Sequence, residues 1–156
     1  MICPFCIPEF QISVFARTHG FLAVYNIAPI VPGHSLIVPE KHIQSIMELD
    51  EGALSGMMIF SRRVSSLLKK VFKAEAFNWS LQEGTAAGQT VEHLHMHIVL
   101  RFPGDMPDPG DWYPEIRKNY SAVLDSASRP RLISTEMESI VKELRGKAMI
   151  EGLYER

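Results

Sequence analysis

Three histidines, His93, His95 and His97, stand at alternate positions within Gln89 to Arg101, QTVEHLHMHIVLR, interleaved with Leu94, Met96 and Ile98. In a pleated strand alternate side chains share a face, so a strand over Val91 to Val99 would carry all three imidazoles on one side and the apolar set on the other. Same-face neighbours then lie roughly 6.6 Å apart, close enough for two rings to grip one phosphate-sized group. A helix would scatter them. Polar residues of any kind decorate exposed strands, and a lone histidine carries little information. Half of the chain's six histidines on one face carry more. Two chemistries fit. A neutral imidazole is a nucleophile toward phosphorus or an acyl carbon when one nitrogen is deprotonated and the other is held as an N–H donor. His95 has the central place, and its neighbours would bind oxygens or protonate a leaving group. His-x-His on a strand also offers two ring nitrogens to zinc.

Around this stretch the chain contains no G-x-x-x-x-G-K-[ST] loop, no G-x-G-x-x-G and no G-x-S-x-G elbow, so the candidates are histidines. Ile12 to Arg17 and Phe21 to Tyr25 are apolar runs around Thr18-His19-Gly20, a hairpin pattern with His19 exposed at its turn. Pro29, Pro32 and Gly33 punctuate the next segment, and Ser35 to Val38 reads as a third strand. His34 sits where that turn meets the strand, a position favoured for ligand contacts. Asp50 to Phe72 is one long helix with Asp50 as N-cap, and Leu54, Met57, Met58, Val64, Leu67, Leu68 and Val71 form its core stripe. Arg62, Arg63, Lys69 and Lys70 fall mostly on its solvated side. Phe77 to Leu81 is a fourth strand, joined through EGTAAG to the histidine strand in a hairpin carrying Gln82 and Gln89. Beyond Arg101 a Pro-, Gly- and Asp-rich loop carries Trp112 and Tyr113, and Thr135 to Ala148 reads as a helix with a capping box between Thr135 and Glu138.

A chain of 156 residues suits one domain over 1-156, with its core in about 1-103 and a loop and helix in 104-156. Its 46% hydrophobic and 22% charged residues are those of a globular protein, and a net charge of -2 gives no broad basic footprint for nucleic acid. No basic n-region precedes an apolar core at MICPFC, and no apolar run approaches the roughly 18 residues of a membrane span. A cytoplasmic protein is expected. Its two cysteines, Cys3 and Cys6, lie too close to the terminus to follow a strand as a redox C-x-x-C should, and they complete only half of a tetrahedral zinc site.

PGHSLIVPEKHI together with EGTAAGQTVEHLHMHIVLR resembles the histidine triad (HIT) superfamily of nucleotide hydrolases and transferases, whose signature alternates three histidines with apolar residues. The likeness covers roughly residues 1 to 115. The glutamine before the triad and the capped C-terminal helix are most similar to the Fhit-like dinucleoside polyphosphate hydrolases. That resemblance implies an α+β fold: an antiparallel sheet of about five strands, two main helices, and a two-fold dimer joining the sheets. It implies that His95 attacks the α-phosphorus of a small nucleotide to form a nucleotidyl-histidine, which water hydrolyses. It further implies that His97 and Gln89 contact phosphate or bridging oxygens, that Gln82 holds the departing portion, and that Asn26 binds ribose hydroxyls. His34 matches a fourth active-site histidine, and Tyr113 falls where that branch has a loop tyrosine near the phosphates. Microbial members with an N-terminal C-x-x-C hold one structural zinc, and the matching positions here are Cys3, Cys6, His42 and His93. Cys2His2 is a closed set with no vacant place for water. With His93 on the metal, the hydrogen bond that orients His95 has to come from elsewhere, most simply a backbone carbonyl. The rivals are a nucleoside phosphoramidase or a nucleotidylyl transferase or phosphorylase with the same nucleophile, and a non-catalytic module that only binds nucleotide or zinc.

Overall fold

A computed structural model of the chain describes residues 2–18, 20–105 and 129–155. Among these, β1 (Val14–Thr18), β2 (Phe21–Tyr25) and β3 (Ser35–Pro39) precede a long helix α1 (Glu51–Phe72). After it come β4 (Ala76–Leu81), β5 (Met96–Arg101) and a second helix α2 (Ser134–Ile150). The five strands form one antiparallel sheet in the order β1-β2-β3-β5-β4. The expected α+β architecture is thus observed.

The period of two along each strand sorts the side chains. Phe21, Ala23, Tyr25, Ile37, Met96, Ile98 and Leu100 meet Met57, Phe60, Val64, Leu67 and Leu68 of α1, and Met137, Val141, Leu144 and Ala148 of α2, in one core. Both helices therefore cover the same face. Val14, Leu22, Val24, Leu36 and Val38 line the opposite face under Phe5 and Phe10 of the N-terminal segment. The strand begins two residues later than expected, because Pro8–Ser13 winds as a 3-10 helix whose Ser13 hydroxyl donates to the Phe10 carbonyl at 2.7 Å. A register shift between Val14 and Ala16 leaves Phe15 as an extra residue, so Phe15 and Ala16 both reach the core. Tyr154 adds a parallel bridge to Arg17, closing that edge of the sheet.

Asp50 caps α1 as expected, accepting from the Ala53 N–H at 2.8 Å, and Lys73 ends it in the left-handed conformation at φ 56. The stripe differs from the expected one: Leu54 and Met58 are exposed at 36% and 38%, while Phe60, Ser61 and Ser65 are buried. The two serines are small enough to let the sheet approach, and Trp79 of β4 reaches in to donate to Ser65 Oγ at 2.9 Å. Arg62, Arg63 and Lys70 are solvated as expected. Arg63 also donates to the Glu151 and Gly152 carbonyls, at 2.9 and 3.1 Å. At α2 the extended N-cap is Ile133, so the residue whose carboxylate turns back is Glu136, accepting from the Ile133 N–H at 3.3 Å, not Glu138. No helix among the described residues is long and apolar enough to cross a membrane.

The histidine strand is shorter than its sequence period suggests. β5 pairs Met96 with Ile37, Leu36 with His97 and Ser35 with Ile98, and continuing that register would set Leu94 opposite Pro39, which has no N–H to give. The chain leaves the ladder there. Leu94 N–H donates to the Ile43 carbonyl at 2.7 Å instead. Alternation survives the departure, since Leu94 joins Met96 and Ile98 in the core.

Candidate active site

His93, His95 and His97 line up on the face away from the helices, with His95 and His97 ring centroids 5.2 Å apart. All three are buried, as is His34. His95 is 1% exposed, with the Phe5 ring edge-on to it at 5.3 Å.

Hydrogen bonds to fixed backbone groups determine the tautomers. His95 Nδ1 lies 2.7 Å from the His93 carbonyl, which can only accept, so Nδ1 carries the proton and Nε2 the lone pair in the neutral ring. The backbone carbonyl expected to orient this ring is thus in place. His34 Nδ1 accepts from the Ile30 N–H at 3.1 Å, which puts the His34 proton on Nε2. That Nε2–H faces His97 Nδ1 at 2.9 Å, so His97 in turn carries its proton on Nε2. Asn26 Nδ2 approaches His34 Nε2 at 3.4 Å, donor against donor and too far to compete. A backbone amide of the 27–33 loop thereby fixes the proton of a ring on β5.

The loop itself is tightly determined. Asn26 Oδ1 accepts from the Ala28 N–H at 2.9 Å, and Tyr25 hydroxyl oxygen accepts from the Gly33 N–H at 2.9 Å. Burial raises the Tyr25 phenol above its ordinary value, keeping it neutral. Gly33 sits at φ +85, and a Cβ there would come within 2.3 Å of Leu100 Cδ1. Arg129, 3% exposed, donates from Nε to the Ala28 carbonyl at 2.9 Å and pins the loop from the far side of the sequence.

The remaining expected residues divide. Ser80 pairs across β4–β5 with His97, and continuing that register one residue past its last pair, Leu81 with Met96, would set Gln82 opposite His95. Gln82 Nε2 donates to Ser80 Oγ at 2.7 Å. Gln89 stands apart: its Oε1 accepts from the Gly84 N–H at 2.8 Å and its Nε2 donates to the Gln44 carbonyl at 3.0 Å, so both arms hold loops together. Tyr113 and His19 lie outside the described residues.

The second constellation is compact. One ligand atom from each of Cys3, Cys6, His42 and His93 lies within 4.8 Å of every other, a group that could hold a metal ion. Cys3 Sγ and Cys6 Sγ are 3.4 and 3.6 Å from His93 Nδ1, and Cys6 Sγ is 3.3 Å from His42 Nδ1. Tetrahedral bonds of about 2.0–2.3 Å separate neighbouring ligands by roughly 3.3–3.8 Å, so these contacts fit such a centre. His93 Nε2 meets the Pro39 carbonyl at 3.0 Å, which leaves Nδ1 with the lone pair a metal needs. Burial lowers the His93 imidazole below its ordinary value, keeping that nitrogen unprotonated.

Phe5 and Ser80 were not singled out from sequence. The signal for Phe5 is its place between the two cysteines, and for Ser80 its place two residues before Gln82, on the same strand face.

A HIT domain model matches residues 8–104. The asymmetrical bis(5'-nucleosyl)-tetraphosphatase of Schizosaccharomyces pombe is 38% identical over 107 residues, 69% of this chain. The chain spans 59% of that relative's length. The bis(5'-adenosyl)-triphosphatase of Dictyostelium discoideum is 31% identical over 135 residues, 86% of this chain and 85% of the relative. Among solved structures, a zinc-bound histidine triad family protein from Mycobacterium smegmatis superposes with a TM-score of 0.66 at 23% identity, covering 96% of each chain. With its histidine period, its sheet and the matched segment in agreement, the chain belongs to the HIT domain family, in its Fhit-like branch.

Proposed function

We propose that the protein hydrolyses dinucleoside polyphosphates of the diadenosine tri- or tetraphosphate type at the α-phosphate. The observation that carries this reading is the hydrogen bond from His95 Nδ1 to the His93 carbonyl, which leaves Nε2 as the nucleophilic nitrogen. The names of the two curated relatives, a tetraphosphatase and a triphosphatase, supply the substrate class. His95 Nε2 attacks phosphorus, the P–O bond to the leaving nucleotide breaks, and the leaving oxygen departs as a phosphate anion that accepts a hydrogen bond from His97 Nε2–H. Water then attacks the phosphorus of the nucleotidyl-histidine, the P–N bond breaks, His95 leaves as the neutral ring with its proton still on Nδ1, and the water's proton passes to solvent. The nucleoside monophosphate departs with His95 restored. Asn26 serves the ribose and Gln82 the departing portion, and the family resemblance assigns Tyr113 a contact to the phosphates. Gln89 reaches a phosphate oxygen by giving up the Gln44 carbonyl.

Cys3, Cys6, His42 and His93 would hold one zinc ion, a role supported by the fit of their ligand atoms and by the zinc-bound relative. The ion supplies structural cross-linking and no reaction step, because four protein ligands close its coordination. The chain acts as a homodimer whose sheets join along β4, since Tyr154 occupies the edge at β1.

The test is His95→Ala. Turnover of diadenosine triphosphate should fall by at least about a thousandfold, with zinc content retained. Unchanged turnover would remove His95 as nucleophile. A wild-type enzyme that cleaves an adenosine phosphoramidate far faster than the anhydride would reassign the substrate to a P–N bond.

A further inference from the structure

We infer that Ser80 is a positioning residue for the proposed hydrolysis: its hydroxyl sets which end of the Gln82 amide faces the phosphates. The inference rests on the hydrolase reading and deepens it. Trp79 and Ser80 alternate on β4. Trp79 points into the helix side, donating to Ser65, so Ser80 points to the histidine side, where it is paired with His97. Gln82 continues that face and is nine-tenths buried. Its Nε2 donates to Ser80 Oγ at 2.7 Å, and its Oε1, fully buried, has no hydrogen-bond partner among the described residues. A buried amide oxygen without a donor is costly.

The conflict has one local solution. A hydroxyl can donate as well as accept, and a half-turn of the amide exchanges its oxygen and nitrogen at almost no change in shape. Ser80 O–H then donates to Gln82 Oε1, and Gln82 Nε2 turns its two N–H donors into the site. Phosphate oxygens of a bound substrate would satisfy them. In the alternative orientation an amide oxygen would confront an anionic substrate and repel it. As the P–O bond breaks, negative charge gathers on the departing polyphosphate, and an aimed N–H stabilises it more in the transition state than in the ground state. Ser80 itself touches no substrate; it holds the amide in the donor-facing sense.

The experiment compares wild type, Ser80→Ala and Ser80→Thr on diadenosine triphosphate and on adenosine 5'-(p-nitrophenyl) phosphate, whose leaving group needs little stabilisation. Ser80→Ala should lower kcat on the triphosphate about tenfold with KM changed less than about threefold, and alter the nitrophenyl ester less than about threefold. Ser80→Thr, which keeps the hydroxyl, should restore the triphosphate rate. The Gln82 side-chain amide resonances should shift when a methylene analogue of diadenosine triphosphate binds to wild type and to Ser80→Thr. Equal loss on both substrates, no loss on either, or bound analogue with unshifted Gln82 resonances would overturn the role of Ser80 while leaving the hydrolase reading standing. A wild-type protein that neither turns over nor binds these nucleotides would overturn both.

Discussion

At the scale of single residues, the organising fact is that backbone groups decide where imidazole protons sit. The Ile30 N–H forces the His34 proton onto Nε2, and the 2.9 Å contact to His97 passes the choice along. Removing His34 frees His97 to adopt either tautomer, and only the one protonated at Nε2 can donate a hydrogen bond to the leaving oxygen. His34→Ala should therefore lower kcat by roughly 10–100-fold, while His34→Asn, whose amide N–H can still face His97 Nδ1, should recover part of the loss. Steady-state kinetics at fixed pH reads this, and an unchanged kcat in His34→Ala would show that His97 does not depend on His34. The period of two in the sequence already placed the three rings on one face and Leu94, Met96 and Ile98 in the core. It could not reveal the tautomers, because these depend on the Ile30 amide and the His93 carbonyl, and nothing in residue types says which backbone group a ring will meet.

At the scale of elements, the Asp50 cap of α1 was legible, the cap of α2 was read two residues too late, and boundaries set by a neighbour were not legible. Asp50 caps α1 through a contact three residues away, which the sequence displays. The start of β5 depends on Pro39, 55 or more positions earlier, losing its place in a ladder that only the fold assembles. Likewise Phe60 replaces Leu54 and Met58 in the buried stripe, because the sheet it packs on comes from the other segments. The turn that delivers His34 falls between these cases: Gly33 is visible as punctuation, but the reason for it is Leu100. At φ +85, with Leu100 Cδ1 2.3 Å from where a Cβ would stand, an alanine is strained in its backbone and overpacked against the core. Gly33→Ala should destabilise the protein by about 2–4 kcal/mol, adding a left-handed penalty of about 1 kcal/mol to an overpacking cost of about 1–3 kcal/mol. Chemical denaturation would show this as a lower midpoint at constant slope. A midpoint within error of wild type would mean that the 27–33 loop yields easily and does not hold His34 in place.

At the scale of the whole molecule, the proposed metal centre would add a second tie between the N-terminal segment and the sheet, beside the packing of Phe5 and Phe10. Cys3 and Cys6 bracket Phe5, which lies edge-on to both His93 and His95, so the segment that would bind zinc also roofs the proposed nucleophile. The sequence announced the two cysteines and, through family resemblance, their two histidine partners. The roof was not legible, because it depends on Phe5 folding back across a face formed by residues about ninety positions away. An ion held at a hundred times its Kd contributes about 2.7 kcal/mol to folding. For a chain of this size that is roughly 5–10 °C in Tm. Cys3→Ser combined with Cys6→Ser should abolish the one zinc per chain measured by elemental analysis and lower Tm by that amount. It should also raise the exposure of His95 to an imidazole-directed reagent such as diethyl pyrocarbonate, because Phe5 loses the anchors on either side of it. A double variant with wild-type Tm and an equally protected His95 would show that the segment is held by the Phe5 and Phe10 contacts alone, and that the metal, if bound, is not what closes the site.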